Sequence, residues 1–322
     1  MTKIVKPTNE ILMQAAEIIK NGGLVAFPTE TVYGLGASAF NARAVAKIFE
    51  VKNRPYFDPL IVHISRFETI YDLWAKLDER ALNLAKQFWP GPLTIVLPRK
   101  KSIPDIVVAG LTTVAVRMPA NKIALDLITY AGVPIAAPSA NLFGRLSPTT
   151  AEHVAEQLGD KIDLIIDGGK TEIGVESTVI EFNDKPVVLR LGGITLEQIE
   201  GVIGRVKILT VAEKPHSPGQ LLKHYAPKVK LKIIKNGNYS IPQGLEAGLL
   251  AFREAPPGHA FKCVQILSPA GDLQEAACNL FSALHRLEKE AIDIIYAEPV
   301  PEIGLGRAIM DRLRKAEGTG GE

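Results

Sequence analysis

"GGLVAFPTETVYGLG", residues 22–36, decides the fold: it enters as a buried strand and runs on into "GLGASA", residues 34–39, a GxGxxA match. A dinucleotide-binding turn joins a strand directly to a helix, with an acidic residue closing the next strand about 20 residues later. Here six residues, 28–33, separate "LVAF" from Gly34, and Asp58 lies between two prolines. The glycines are therefore read as tight turns, and the fingerprint is set aside. "GLGRA" at 304–308 fits only half of it. "DGGKT" at 167–171 resembles the end of a phosphate-binding loop, but the first glycine of GxxxxGK[ST] would fall on Leu164. That leaves Thr29, Glu30, Thr31 and Tyr33 crowded behind a strand, and the rest of the chain must explain them.

Outward from this stretch, helix-period and strand-like segments alternate. "TNEILMQAAEIIKNGG" carries Ile11, Leu12, Ala15, Ile18 and Ile19 on one face, with Thr8 as N-cap and Asn21-Gly22 as stop. A second helix starts at Asn41 and ends before Pro55, and others cover 78–88, 121–132 and 149–159. "PLIVHI", "PLTIVLP", "TVAVRMP", "PIAAPSAN", "DLIIDGG", "STVIEF" and "PVVLRLGG" read as strands. So many differently connected strands predict an α/β fold over residues 1–203, with one large mixed, twisted sheet and helices packed on it. Residues 204–228 are rich in Pro, Gly and Lys and read as a linker. Residues 229–322 read as a small C-terminal α/β, Rossmann-like domain. Its strands flank an amphipathic helix striped by Leu273, Ala277, Leu280, Leu284 and Leu287, and its tail "GTGGE" reads as frayed.

With 322 residues the chain exceeds what one core usually organises. Its 47% hydrophobic and 22% charged residues are those of a globular protein, no apolar run reaches a membrane span, and the start lacks the pattern of an export signal. A cytoplasmic location is expected. Net charge of +2 is too mild to announce a polyanion partner. Cys263 and Cys278 have neither CxxC spacing nor nearby histidines, so neither a disulfide nor a metal site is expected.

Polar residues cluster where the apolar segments end. Arg117 closes "TVAVR", His63 follows "PLIV", Ser139 and Asn141 follow "IAAP", Arg190 sits in "PVVLRLGG", and Lys52 and Arg54 follow a helix. Singly, each has an ordinary structural use: a helix-dipole partner, an exposed strand end, a core histidine, a cap at Ser139, Asn141 or Ser147, or a strand-entry hydroxyl at Ser177. Jointly, several cations with short hydroxyls and amides suit a site for phosphates and a carboxylate. No triad, metal-ligand cluster or obvious nucleophile accompanies them, which favours positioning and charge stabilisation, as in phosphoryl or nucleotidyl transfer.

The ordered set "FPTETVYGLG", "KNRP" with "PLIVHI", "WPGPLTIVL", "TVAVRMP", "APSAN" with "SPT", and "GVESTVI" with "LRLGG" closely resembles the YrdC-type threonylcarbamoyl-AMP synthases. "SPGQLLKHYAP" and the segment after it resemble the long form of that family, which adds a C-terminal domain. The resemblance implies a concave, positively charged cavity and a nucleotidyltransferase that makes threonylcarbamoyl-adenylate and pyrophosphate from L-threonine, bicarbonate or CO2, and ATP. Mg2+ would be held mainly by the ATP phosphates. A separate transferase complex then modifies tRNA beside the anticodon. Carried over by motif, Thr31, His63, Arg117, Ala137 and Ser177 would contact threonine. Lys52, Arg54, Asp58, Thr113, Ser139, Asn141, Ser147, Arg190 and Tyr225 would surround ATP, with Lys52 and Arg54 as the catalytic cations. Replacing either of those two is expected to remove activity at little cost in stability. The loop of Tyr56, Phe57 and Asp58 departs from the one common in relatives, which makes the Asp58 contact less secure than that of Arg54; Asn121 and Phe143 also depart, without removing a proposed ligand. Two other readings stay open. A non-catalytic RNA-binding protein could use the same face, although no RRM or KH signature and few aromatics favour it. Carbamoyl transfer in metalloenzyme maturation shares the fold but expects segments absent from this sequence.

Overall fold

Helices begin where the sequence supplies a side-chain acceptor. Thr8 accepts from the Ile11 amide, Asn41 from Ala44, Asn121 from Ile123 and Ala124, and Thr150 from His153. The computed structural model describes residues 3–209, 216–221, 224–235, 237, 239–258 and 260–318. Parts of the expected linker (210–215 and 222–223) and most of the expected frayed tail (319–322) lie outside the described residues.

The first elements are β1 (Lys3–Val5), α1 (Asn9–Lys20), β2 (Val25–Phe27), β3 (Gly34–Ser38), α2 (Ala42–Lys52), β4 (Ile61–His63), α3 (Ile70–Leu73) and α4 (Glu79–Phe88). Then come β5 (Leu93–Pro98), β6 (Thr113–Arg117), α5 (Lys122–Ala131), β7 (Ile135–Ala136), α6 (Ala151–Leu158), β8 (Leu164–Ile166), β9 (Thr178–Phe182), β10 (Pro186–Arg190), α7 (Leu196–Ile203) and β11 (Lys207–Ile208). The C-terminal part contains β12 (Lys230–Ile233), β13 (Ala247–Ala251), β14 (Cys263–Ile266), α8 (Leu273–Leu287), β15 (Ile294–Ala297) and α9 (Gly306–Glu317).

Two sheets result. The larger has eleven strands in the order β1-β8-β2-β3-β7-β4-β6-β5-β9-β10-β11 and mixes parallel with antiparallel pairs. The smaller has four strands, all parallel, in the order β12-β15-β13-β14. This is the mixed α/β arrangement, with a second α/β unit, that the segment pattern predicts. At one end of the large sheet, strand alternation divides the core. Val25 and Phe27 pack with Leu12, Ile19, Leu127 and Ile128 of α1 and α5, while Ala26 faces Val45, Ile48 and Phe49 of α2. Towards the middle, Ile61, Val96, Ala115, Val179 and Leu189 form a small apolar patch across five strands.

The reading of Gly34 and Gly36 as tight-turn residues is corrected. Both lie in β3, which runs antiparallel to β2 and continues the sheet to β7. A Cβ on Gly36 would come within 2.7 Å of both Phe27 and Ile135, so glycine here permits close packing between strands. Helix α7 also escapes the segment reading, although Thr195 and Gln198 form a complete capping box at its start. The C-terminal unit docks on the first through shared apolar packing: Val32, Leu146 and Val175 join the cluster of Leu280, Phe281, Leu284 and Leu313. Among the described residues, no helix is long and apolar enough to cross a membrane.

Candidate active site

The polar residues of the opening stretch form a wall. Thr29 Oγ1 lies 2.8 Å from Thr31 Oγ1 and donates to the Val32 carbonyl at 2.7 Å, closing a tight hydroxyl turn after β2. Tyr33 Oη donates to the Gly169 carbonyl at 2.7 Å and accepts from the Gly168 amide, tying this turn to the loop after β8. Glu30 is the ion-pair partner of Arg117, 2.7 Å from its Nη2.

Register supplies the neighbours. β4 and β6 run parallel with His63 opposite Arg117, so imidazole and guanidinium stand side by side at the strand ends. Arg117 Nη1 donates to Thr31 Oγ1 at 3.0 Å and its Nε to the Gly91 carbonyl at 3.2 Å. Nη2 faces Glu30 as a close ion pair, without hydrogen-bond geometry. Burial, and then the charge of Arg117, push the His63 imidazole down to about 3. The ring is therefore neutral at physiological pH and too weak a base to hold a proton in competition with an amine.

Thr31, His63 and Arg117 line a cavity with Arg54, Ala137, Ser139, Glu176, Arg190, Gly219, His224 and Tyr225. Arg54 enters from the residues after α2. Its Nη2 pairs with Asp58 Oδ2 at 2.9 Å and donates to the Pro59 carbonyl at 2.8 Å, and its Nε donates to the Asp58 carbonyl. Arg190, at the end of β10, donates to the Ser177 carbonyl and Ser177 Oγ, both at 3.0 Å, and to the Pro218 carbonyl at 3.2 Å. All of its named partners are neutral, so its charge faces the cavity without a directly bonded carboxylate. Close backbone packing makes this wall. A Cβ on Gly192 would fall 2.2 Å from the Glu176 carbonyl oxygen, so only glycine lets the strand end lie against residues 176–178.

The other residues inferred from the sequence stand behind the lining. Lys52 is 1% exposed, and its Nζ donates to the Ser139 carbonyl at 2.7 Å and to the Asn141 carbonyl. Burial, and then the charge on Arg54, lower its ammonium well below the ordinary lysine value. Asn141 Nδ2 donates to the carbonyls of Leu142 and Arg145. Asp58 is fully buried against Arg54, and burial raises its carboxyl above the ordinary value. Ser147 Oγ donates to Glu176 Oε1 at 2.5 Å. Ser177 Oγ lies 2.7 Å from Thr94 Oγ1 and accepts from Arg190. Thr113 opens β6, at the opposite end of that strand from Arg117, and is not among the cavity-lining residues.

Tyr225 closes the cavity on the linker side. Its φ of +65° places it in the left-handed region, its ring packs on His224 and Phe281, and its buried hydroxyl has no hydrogen-bond partner among the described residues. Glu30 was noticed in the sequence without a role, and Glu176, Gly219, His224 and Arg312 were not singled out. "PTET" and "GVEST" contained the two glutamates, whereas nothing local marked Arg312. Among the described residues no group of three or more His, Cys, Asp or Glu could hold a metal ion. The carboxylates of Glu30, Asp58 and Glu176 are each engaged by an arginine. The chain's own residues thus do not fit a magnesium cage.

Comparison with known proteins agrees with this architecture. A Sua5/YciO/YrdC family profile described as "Telomere recombination" matches residues 17–192, and one described as "Threonylcarbamoyl-AMP synthase, C-terminal domain" matches residues 194–318. The threonylcarbamoyl-AMP synthase of Pyrococcus abyssi is 46% identical over 316 residues, covering 94% of this chain and 93% of that protein. The protein of that name in Bacillus subtilis is 46% identical over 321 residues, covering 95% and 93%. Among solved structures, P. abyssi Sua5 complexed with L-threonine superposes with a TM-score of 0.90 at 43% identity, over 99% of this chain and 97% of that one. E. coli YciO matches with a TM-score of 0.53 at 26% identity, covering 60% of this chain and 96% of that one.

Proposed function

The chain belongs to the Sua5/YciO/YrdC family, in the form that carries the additional C-terminal domain, and on that premise we propose that it is a threonylcarbamoyl-AMP synthase working in the cavity between Thr31, Arg54, Arg117 and Arg190. The observation that carries this reading is the near-complete match to a structure solved with L-threonine, together with a cavity whose lining includes three arginines.

L-Threonine sits against Thr31, His63, Arg117 and Ala137. Arg117 already holds the Glu30 carboxylate, so gripping the substrate carboxylate requires it to shift or share that contact. The triphosphate lies towards Arg54, Ser139 and Arg190, under Tyr225. Lys52, Asn141, Asp58, Ser147 and Ser177 act from behind: Lys52 fixes the Ser139–Asn141 backbone, Asp58 fixes Arg54, and Ser177 fixes Arg190. Thr113, outside the lining, is kept as an ATP contact on the resemblance alone.

The neutral threonine amine attacks CO2, the N–C bond forming as one C=O π bond opens onto oxygen, and the surplus N–H proton passes to solvent to leave a carbamate anion. A carbamate oxygen then attacks the α-phosphate in line, and pyrophosphate leaves. Arg54 and Arg190 offset the charge accumulating on the phosphates. Neutral His63 shapes the pocket around the amine without serving as its base. Mg2+ would arrive with ATP as part of the substrate, where it would add charge neutralisation. The product feeds a separate transferase complex that modifies tRNA beside the anticodon, and the site of action is the cytoplasm.

Buried cations weigh against the RNA-binding alternative. Arg54, Arg117 and Arg190 are 4–5% exposed and engaged internally, out of reach of a polyanion backbone. Pyrophosphate release tests the proposal. It is expected with ATP, Mg2+, L-threonine and bicarbonate together, and to vanish when threonine or bicarbonate is omitted. Release independent of threonine, or none from the folded protein, overturns it.

A further inference from the structure

Helix α9 of the C-terminal unit reaches the cavity wall. Arg312 on that helix is 1% exposed and uses its entire fork. Its Nε donates to Glu176 Oε2 at 2.8 Å, its Nη2 to the Leu191 carbonyl at 2.9 Å, and its Nη1 to Asp311 Oδ2 at 2.6 Å. Its guanidinium carbon lies 4.8 Å from the centroid of the Tyr225 ring. One turn on, Lys315 Nζ donates to the Gly219 carbonyl at 2.7 Å and pairs with Asp311. A single helix face thus holds three segments of the cavity wall: Glu176 before Ser177, Leu191 after Arg190, and the linker at Gly219 and Tyr225.

The electrostatic consequence follows from the position of Glu176. This carboxylate lines a cavity meant for anions and stands close enough to Arg190 to interact with its charge. Burial alone would raise its carboxyl, but the charges of Arg312 and Arg190 and the hydrogen bonds from Ser147 and Arg312 outweigh that and hold it at about 2. It is therefore ionised at working pH. Left unpaired, a buried carboxylate would repel phosphates and draw Arg190 away from its neutral partners on Ser177 and Pro218.

We propose that Arg312 is a positioning residue for the synthase reaction: by neutralising Glu176 and packing on Tyr225, it keeps the charge of Arg190 available to the triphosphate. The inference rests on the synthase reading and assigns the C-terminal unit a part in ATP binding.

The test compares full-length wild type, Arg312→Ala, Glu176→Gln and the double variant, reading both the KM for ATP in pyrophosphate release and the ATP dissociation constant by calorimetry. Arg312→Ala is expected to raise both constants about tenfold or more. Adding Glu176→Gln is expected to restore them to those of Glu176→Gln alone, because the uncompensated charge is gone; a purely structural role for Arg312 predicts no such rescue. Unchanged constants in Arg312→Ala, or a double variant still about tenfold weaker than Glu176→Gln, overturns the proposal. If Arg312→Ala does not fold, the comparison of the double variant with Glu176→Gln decides alone. Wild type that binds ATP without threonine-dependent turnover would defeat the synthase reading, while the binding constants would still test Arg312.

Discussion

The two α/β units place their charges differently. In the large-sheet unit, Arg54, Arg117 and Arg190 are buried around one cavity, each held by side chains or carbonyls of its own unit or of the adjoining linker. In the C-terminal unit, α9 divides its charges by face: Arg314 pairs with Glu302 in solvent, while Asp311, Arg312 and Lys315 turn inward to the other unit's cavity wall. The difference shows how a domain without its own cluster of site residues can belong to a site through one helix face. Buried charge marks both places because an ion removed from water must find partners, and here those partners are the cavity walls.

The largest effect that sharpens this comparison is expected at Arg54. Arg54→Ala leaves Asp58 buried and unpaired, so stability should fall by about 3–5 kcal/mol in addition to the loss of turnover, as measured by urea unfolding and pyrophosphate release. This runs against the expectation from sequence that the substitution would spare stability, because Arg54 is buried and paired with Asp58. A variant with wild-type stability would break the contrast between buried and exposed charge.

A smaller effect is expected with acid. His63, pushed down by burial and then Arg117, and His153, pushed down by burial and then His285, both lie at about 3. In each case the unfolded chain binds the proton more readily, so stability is fully present above about 6.5 and is lost as pH falls towards 3. The slope should approach about 1.4 kcal/mol per pH unit for each histidine. Denaturant midpoints measured from pH 7.5 to 5 should therefore decline, and His153→Gln should flatten the decline. His153 stacks on His285 across the two units, with ring centroids 3.9 Å apart, so a flattened profile would localise part of the acid sensitivity to their interface. An unchanged slope would remove it from there.

The smallest effect is expected on the outer face of α9. The Arg314–Glu302 pair has side chains 54% and 49% exposed. Arg314→Ala should cost no more than about 1 kcal/mol and leave the KM for ATP unchanged. A change there comparable to that at Arg312 would erase the distinction between the two faces of the helix.

Much of this was legible in the sequence for identifiable reasons. Thr8, Asn41 and the apolar stripes of α1 and α8 marked helices because capping and periodicity are local. Strand β3 was missed because "GLGAS" has few side chains to alternate, and its glycines serve contacts with Phe27 and Ile135 that lie outside the segment. Within the site, the strand-end positions of His63, Arg117 and Arg190 pointed to one crevice, and the structure brings all three to its lining. Lys52 and Ser147 read as ligand contacts because each is polar in a ligand-like motif. Local sequence could not show that a carbonyl pair or Glu176 would take their hydrogen bonds first.

The sequence by itself determined the segment types, the order of the motifs and the chemical kinds present: cations, hydroxyls and small residues at strand ends. These follow from local propensity and from alternation along strands. Which cation meets which anion was decided only by the tertiary structure. Glu30 finds Arg117 across 87 positions, and Arg312 finds Glu176 across 136. Such pairings depend on strand order and on the docking of α9, and burial makes them energetically binding once formed.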